Sequence, residues 1–171
     1  RIDPRKNQRA IVAAFARLRR ALPEARLELV GPVADEAYAR ELAADISRLR
    51  LDDAVRCTGR VPDVTRYVRR WSLFVSLSAD EGQGLAVLEA MALGVPVAAR
   101  SVAGVEDFLA DGHTGWALPD RGIAATASVL KRALEAPEAA AITRRARRMV
   151  ERRYDWSTMV GAFDRLYRPS R

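Results

Sequence analysis

One cysteine, Cys57, and one histidine, His113, are all that the sequence holds of either residue. A lone cysteine excludes an internal disulfide and is compatible with a reducing compartment, so a cytoplasmic setting is expected. Cys57 sits in the apolar run Ala54-Val-Arg-Cys-Thr58 and is expected to be a buried structural thiol rather than a nucleophile. With one Cys and one His, no metal-ligand cluster is available, and the metal expectation is none. His113, inside Asp111-Gly-His-Thr-Gly115, reads as a turn residue rather than a general base. No run approaches the ~18 apolar residues a membrane-spanning helix needs, and no signal-peptide pattern opens the chain. Linkers, repeats and low-complexity tracts are missing too.

What is present suits one globular domain over 1–171, with 49% apolar and 30% charged residues. The net charge of +7, mostly arginine, favours anionic partners such as phosphates or an acidic lipid surface. No nucleic-acid partner is expected. Six arginines, at 144, 145, 147, 148, 152 and 153, fall on one amphipathic helix. They read as a solvated face or as peripheral contact with an acidic membrane.

The most informative stretch runs from Ser76 to Arg100. Ser72 to Leu77 is short, apolar and β-rich, as expected of a buried parallel strand. Gly82 and Gly84 break regular structure and let backbone N–H groups approach a ligand. Leu85 to Leu93 reads as a helix, with Leu85, Leu88, Ala92 and Leu93 on one side. Gly94 closes it as a C-terminal cap would, and Val95-Pro-Val-Ala-Ala99 restarts a strand. Such a crossover presents a helix N-terminus, a ready anion site.

Two carboxylates mark the stretch, Glu81 in the loop and Glu89 in the helix. If the interval is helical, they stand ~12 Å apart along the axis at ~1.5 Å per residue. A donor with central phosphates and a hydroxyl-bearing ring at each end suits that layout, and a nucleotide sugar has that shape. On spacing alone, Glu81 and Glu89 read equally as a loop residue and a solvated helix residue.

Glu81, Gly82, Gly84, Leu85, Glu89, Ala90, Met91, Ala92, Gly94, Pro96 and Val97 together resemble a known motif. It is the donor-binding motif of retaining family 4 glycosyltransferases, which have the two-domain GT-B fold. Gln83 departs from it, standing where that family usually carries an aromatic residue. The resemblance runs over nearly the whole chain. It implies transfer of a sugar from a nucleotide diphosphate sugar, as substrate, to an acceptor hydroxyl, with retention, with no cofactor and without a metal, because cations replace it. Arg1 and Lys6 match the family's paired cations for the donor diphosphate; alone they read as solvated charges. With Glu81 they form the expected catalytic set. Gly31 matches a glycine that lets the nucleotide come close, or is only a turn residue. Ser101-Val-Ala-Gly-Val-Glu106 resembles the family's segment in which a glycine precedes a short helix, which would end at Asp111-Gly112. Gly59-Arg-Val-Pro62 matches the segment beside the base, where the backbone of Arg60 and Val61 and the Arg60 side chain would act, or it is an ordinary turn. Glu81 and the backbone of Gln83, Gly84 and Leu85 would hold the sugar, and Glu89 the ribose hydroxyls. The family also has a strand and a glycine before the position of Arg1. The chain is therefore expected to be part of a longer enzyme, lacking that strand and the N-terminal acceptor domain, and to transfer little alone.

Strand candidates at 26–30, 54–58, 72–77, 95–99 and 115–118 alternate with helices at 7–21, 35–49, 63–70, 85–93, 123–134, 137–153 and 157–167. The fold class is α/β, a Rossmann-like doubly wound parallel sheet flanked by helices, one half of a GT-B fold. Its crevice lies at the carboxyl ends of the strands, where Gly31, Gly59 and Glu81 fall. Two other functions compete: a GT-B sugar-nucleotide epimerase, whose acid–base residues are not found, and a non-catalytic binding or scaffolding module.

Overall fold

The computed structural model describes residues 1–167. A 3-10 turn (Pro4–Lys6) leads into α1 (Gln8–Leu18), β1 (Leu27–Val30), α2 (Glu36–Arg48), β2 (Val55–Gly59), α3 (Thr65–Val68) and β3 (Phe74–Ser76). Then come α4 (Leu85–Ala92), β4 (Val97–Arg100), β5 (Trp116–Leu118), α5 (Ile123–Glu135), α6 (Ala139–Arg153) and α7 (Trp156–Tyr167). All the strand pairings are parallel.

Period-two alternation along β4 explains why the sheet is covered on both faces. Ala98 enters one core, with Ile11, Phe15 and Leu18 of α1, Leu42 and Ile46 of α2, and Leu130 of α5. Val97 and Ala99 enter the other, with Val87, Leu88 and Met91 of α4 and Ala146 and Val150 of α6. Asp35 starts α2 by accepting from Tyr38 N at 2.9 Å, the expected N-cap bond.

The single sheet expected from the alternation is divided into two parallel pieces, β1-β2 and β3-β4-β5. Residues Leu27–Val30 and Phe74–Ser76 both line a cavity of about 600 Å³. The chain's opening residues strap the two pieces together at their carboxyl ends. Ile2 N donates to Pro32 O at 2.8 Å, Ala34 N to Ile2 O at 2.9 Å, and Ala79 N to Arg5 O at 2.8 Å.

Three local expectations are corrected. Cys57 is exposed, because it lies on β2, which among the described residues pairs only with β1. Its thiol is nonetheless desolvated enough to be pushed above its ordinary pKa. Leu85 is 60% exposed, and α4 buries Val87, Leu88, Ala90 and Met91 instead of the face expected from Leu85 and Ala92. The short helix expected before Asp111 is a series of turns, with Val105 N on Val102 O at 2.8 Å and Leu109 N on Val105 O at 2.9 Å. At the far end, α7 leaves Trp156, Val160, Phe163 and Tyr167 exposed at helical spacing.

Candidate functional site

The site is built from two segments distant in sequence. In the first, Asp3 opens the 3-10 turn by accepting from Arg5 N at 2.9 Å. The side-chain and backbone hydrogen bonds from Arg5 hold the Asp3 carboxyl below its usual pKa. Asn7 leaves the turn in the left-handed region (φ 54) and lets α1 begin at once. Gln8 Nε2 donates to Arg1 O at 2.7 Å, fixing the path of the first residue. Arg1 Nε lies 3.4 Å from Asp3 Oδ2.

The second segment follows β3. Lys6 Nζ donates to Glu81 Oε1 at 2.7 Å, with the two side chains 29% and 14% exposed. Burial pushes the Glu81 carboxyl up, but hydrogen bonds from Lys6 and Ser78 outweigh it and leave its pKa below the usual value. Gly84 (φ 61) caps α4, its carbonyl accepting from Val87 N at 2.9 Å and Leu88 N at 3.1 Å. The N–H groups of Gln83, Gly84, Leu85 and Ala86 have no acceptor among the described residues. Successive free donors at a helix start carry partial positive charge and suit an anion.

Only Leu85 to Glu89 of the interval between the two glutamates is helical, so the ~12 Å axial spacing does not apply. Glu89 is exposed on α4, and its side chain has no hydrogen bond or ion pair among the described residues. Arg1, Lys6, Ser78, Glu81 and Ala86 line the cavity between β1 and β3; Gly31, Arg60, Val61, Gln83, Gly84, Leu85 and Glu89 do not. Even so, Gly31 follows β1, Arg60 and Val61 follow β2, and the loop of Glu81 follows β3, so these share the carboxyl edge. Gly31 is more than a turn residue. Its φ is +135, and a Cβ there would lie 2.5 Å from the backbone nitrogen of Arg1. Arg60 is exposed without an ionic partner among the described residues.

Sequence reasoning missed Asp3 and Ser78 and gave Gly104 no role beyond preceding a short helix. Asp3 was legible in principle as the residue before Pro4 at a turn start. Ser78, within 3.2 Å of Ser76 Oγ, carries no local signal. The reason for Gly104 is not local either, because what makes it necessary is its approach to the backbone of residues 81 and 82.

Parallel strands covered on both faces, with cations, a carboxylate and free N–H groups at their carboxyl edge, define a Rossmann-like half of the GT-B class. HepE from Anabaena, solved with UDP and glucose, superimposes with a TM-score of 0.90 at 25% identity over 97% of this chain and 46% of that one. Sucrose-phosphate synthase from Thermosynechococcus elongatus gives 0.87 at 28% identity over 98% and 43%. The chain belongs to the Glycosyl transferases group 1 family, matched over residues 1–154. It is 33% identical to D-inositol 3-phosphate glycosyltransferase of Streptomyces avermitilis over 98% of this chain and 38% of that protein. It is 30% identical to phosphatidyl-myo-inositol mannosyltransferase of Mycolicibacterium smegmatis, over 96% of this chain and 42% of that protein. The chain thus spans well under half the length of these relatives.

Proposed function

We propose that this domain binds the nucleotide diphosphate sugar of a retaining, family 4 type glycosyltransferase that transfers the sugar to an acceptor hydroxyl. The observation that carries the reading is the Lys6–Glu81 pair at 2.7 Å beside the unpaired N–H groups that open α4. A cation, a fixed carboxylate and a helix N-terminus together suit phosphates attached to a hydroxyl-bearing ring. Lys6 and Arg1 take the diphosphate charge and stabilise the departing nucleoside diphosphate, which is electrostatic catalysis without a metal. Glu81 and the backbone of Gln83, Gly84 and Leu85 hold the sugar, and Glu89, exposed and unpaired, accepts from the ribose. Arg60 and Val61 flank the base, and Gly31 permits close approach.

In the chain as it stands Lys6 is engaged by Glu81, so a bound diphosphate draws it from a carboxylate to phosphate oxygens. Acceptor residues then belong to a separate N-terminal domain. The names of the relatives above, an inositol phosphate and a phosphatidylinositol among their substrates, support a sugar-transfer reading without fixing the acceptor. The test is a donor screen on the full-length protein that detects release of nucleoside diphosphate. Release with one donor, lost in Lys6→Met and Glu89→Ala, is expected; absence of saturable binding to any nucleoside diphosphate favours a scaffold.

A second reading concerns location. No helix among the described residues is long and apolar enough to cross a membrane. Arg144, Arg148 and Arg152 form an exposed i, i+4, i+8 row on α6 without ionic partners among the described residues, whereas Arg147 pairs with Glu151 at 2.8 Å and Arg145 donates to His113 O at 3.0 Å. That row suits peripheral contact with an acidic lipid surface on the cytoplasmic side. Sedimentation with anionic vesicles, weakened when the three are changed to Gln, is the expected result.

A further inference from the structure

The loop that enters α4 is pressed against a segment that contributes none of the expected site residues. Gly104 adopts φ +79, and a Cβ there would lie 2.6 Å from the carbonyl oxygen of Glu81 and 2.7 Å from that of Gly82. The contact is reciprocal. A Cβ on Gly84 would lie 2.9 Å from Val105 Cγ2, 3.0 Å from Gly104 O and 3.0 Å from Phe108 Cζ. At Gly104 backbone meets backbone, with no flexible side chain to yield, while Gly84 faces the side chains of Val105 and Phe108 as well as the Gly104 carbonyl.

The segment behind the loop is itself fixed. Val105, Phe108 and Leu109 are buried in the core that holds α4 and α6. The Phe108 ring meets Tyr154 edge-on, with centroids 5.7 Å apart. From the opposite side, Lys6 holds the Glu81 carboxylate. Glu81 is thus located twice, by Lys6 at its side chain and by Gly104 at its main chain.

We propose that Gly104 is a positioning residue for the donor loop, setting where the Glu81 carboxylate and the N–H groups of Gln83, Gly84 and Leu85 stand. This rests on the reading of that loop as the sugar-holding part of the site. Gly104 itself touches no donor. Any side chain there forces the carbonyls of Glu81 and Gly82 away, and the φ of +79 adds strain to an L residue. Glu89 is insulated from the shift, because α4 is anchored by Val87, Leu88, Ala90 and Met91. Loss of loop position therefore weakens recognition of the sugar more than recognition of the nucleotide.

The test compares the wild-type chain with Gly104→Ala by amide hydrogen exchange and by titration with UDP and UDP-glucose, the ligands of the Anabaena structures. Amides 82–86 are expected to exchange about tenfold faster, with those of β4 unchanged. Kd for UDP-glucose is expected to rise about tenfold, while Kd for UDP stays within about twofold. Unchanged loop exchange, or equal weakening of both ligands, overturns the proposal. If the wild type binds neither ligand, the donor reading fails for this pair and the exchange data alone decide the positioning role. Should Gly104→Ala not fold, Phe108→Leu withdraws the ring from Gly84 and leaves Gly104 intact. Faster exchange at residues 84–86 is then expected, and unchanged exchange overturns the proposal.

Discussion

Glu81 combines an unfavourable location with a partner that more than offsets it. Burial favours its neutral form, yet Lys6 and Ser78 hold its pKa below the usual 4.5. A depressed folded pKa means that the stabilisation is complete above 4.5 and is lost as pH falls through the lowered value. Lys6→Met removes the charge and keeps much of the volume. It is expected to lower stability at neutral pH by about 1.5–2 kcal/mol, the lower part of the range for a hydrogen bond to a charged group. The gap from wild type should close as pH falls through the lowered Glu81 pKa, where the wild-type pair is itself lost. Urea melts at several pH values measure it, and a carbon NMR titration should find the Glu81 carboxyl moved up in the variant, because the Lys6 bond no longer offsets burial. A gap that stays constant down to low pH overturns the account. Cys57 gives a contrasting case: exposed on β2, its change to Ser is expected to alter stability by less than ~0.5 kcal/mol, which a melting curve checks.

Around α4, what was legible in the sequence was what is decided locally. Gly94 followed by Val95-Pro96 reads as a helix stop, and the chain there has φ 74 at Gly94 with Gly94 N on Met91 O at 3.0 Å and Val95 N on Ala90 O at 3.0 Å. That is the Schellman pattern, in which a left-handed residue satisfies the last carbonyls. Gly94→Ala should cost about 1–2 kcal/mol from backbone strain alone. The added methyl would meet only Arg147, at 3.8 and 3.9 Å, so no clash contributes. A chemical melt with unchanged slope and lowered midpoint is the expected result, and a loss beyond ~3 kcal/mol points to an unrecognised contact. The buried face of α4 was not legible. Its residues are nearly all apolar, so periodicity cannot choose between Leu85 and Val87; packing against α6 and the 105–109 segment makes the choice. Cys57 was misread for the related reason that an apolar strand sequence does not reveal which strands lack a second neighbour.

Across the molecule, strand positions and the parallel α/β layout followed from alternation of β-rich and helical segments. The division into two strand pieces did not, since pairing between strands far apart in sequence leaves no local pattern. The divided sheet makes the contacts that bridge it disproportionately important. At the carboxyl edge the bridge is the opening strap of residues 1–6, which also delivers Lys6 to Glu81. Another bridge is Glu28 on β1, which accepts from Arg70 Nη2 at 2.7 Å and from Trp71 Nε1 at 2.8 Å, just ahead of β3. Burial raises the Glu28 pKa, while the bonds from Trp71 and Arg70 bring it below its usual value, so the bridge is charged at neutral pH. Glu28→Ala leaves the Trp71 indole donor without its acceptor and should cost about 1.5–3 kcal/mol. The distribution of that loss is the sharper expectation. Because β1-β2 and β3-β4-β5 share no strand pairing, amides of β1 and β2 should gain exchange through opening of their own piece, while those of β4 follow global unfolding only. Equal acceleration in both pieces would mean that the sheet opens as one body and that Glu28 is an ordinary surface-edge contact rather than a tie between halves.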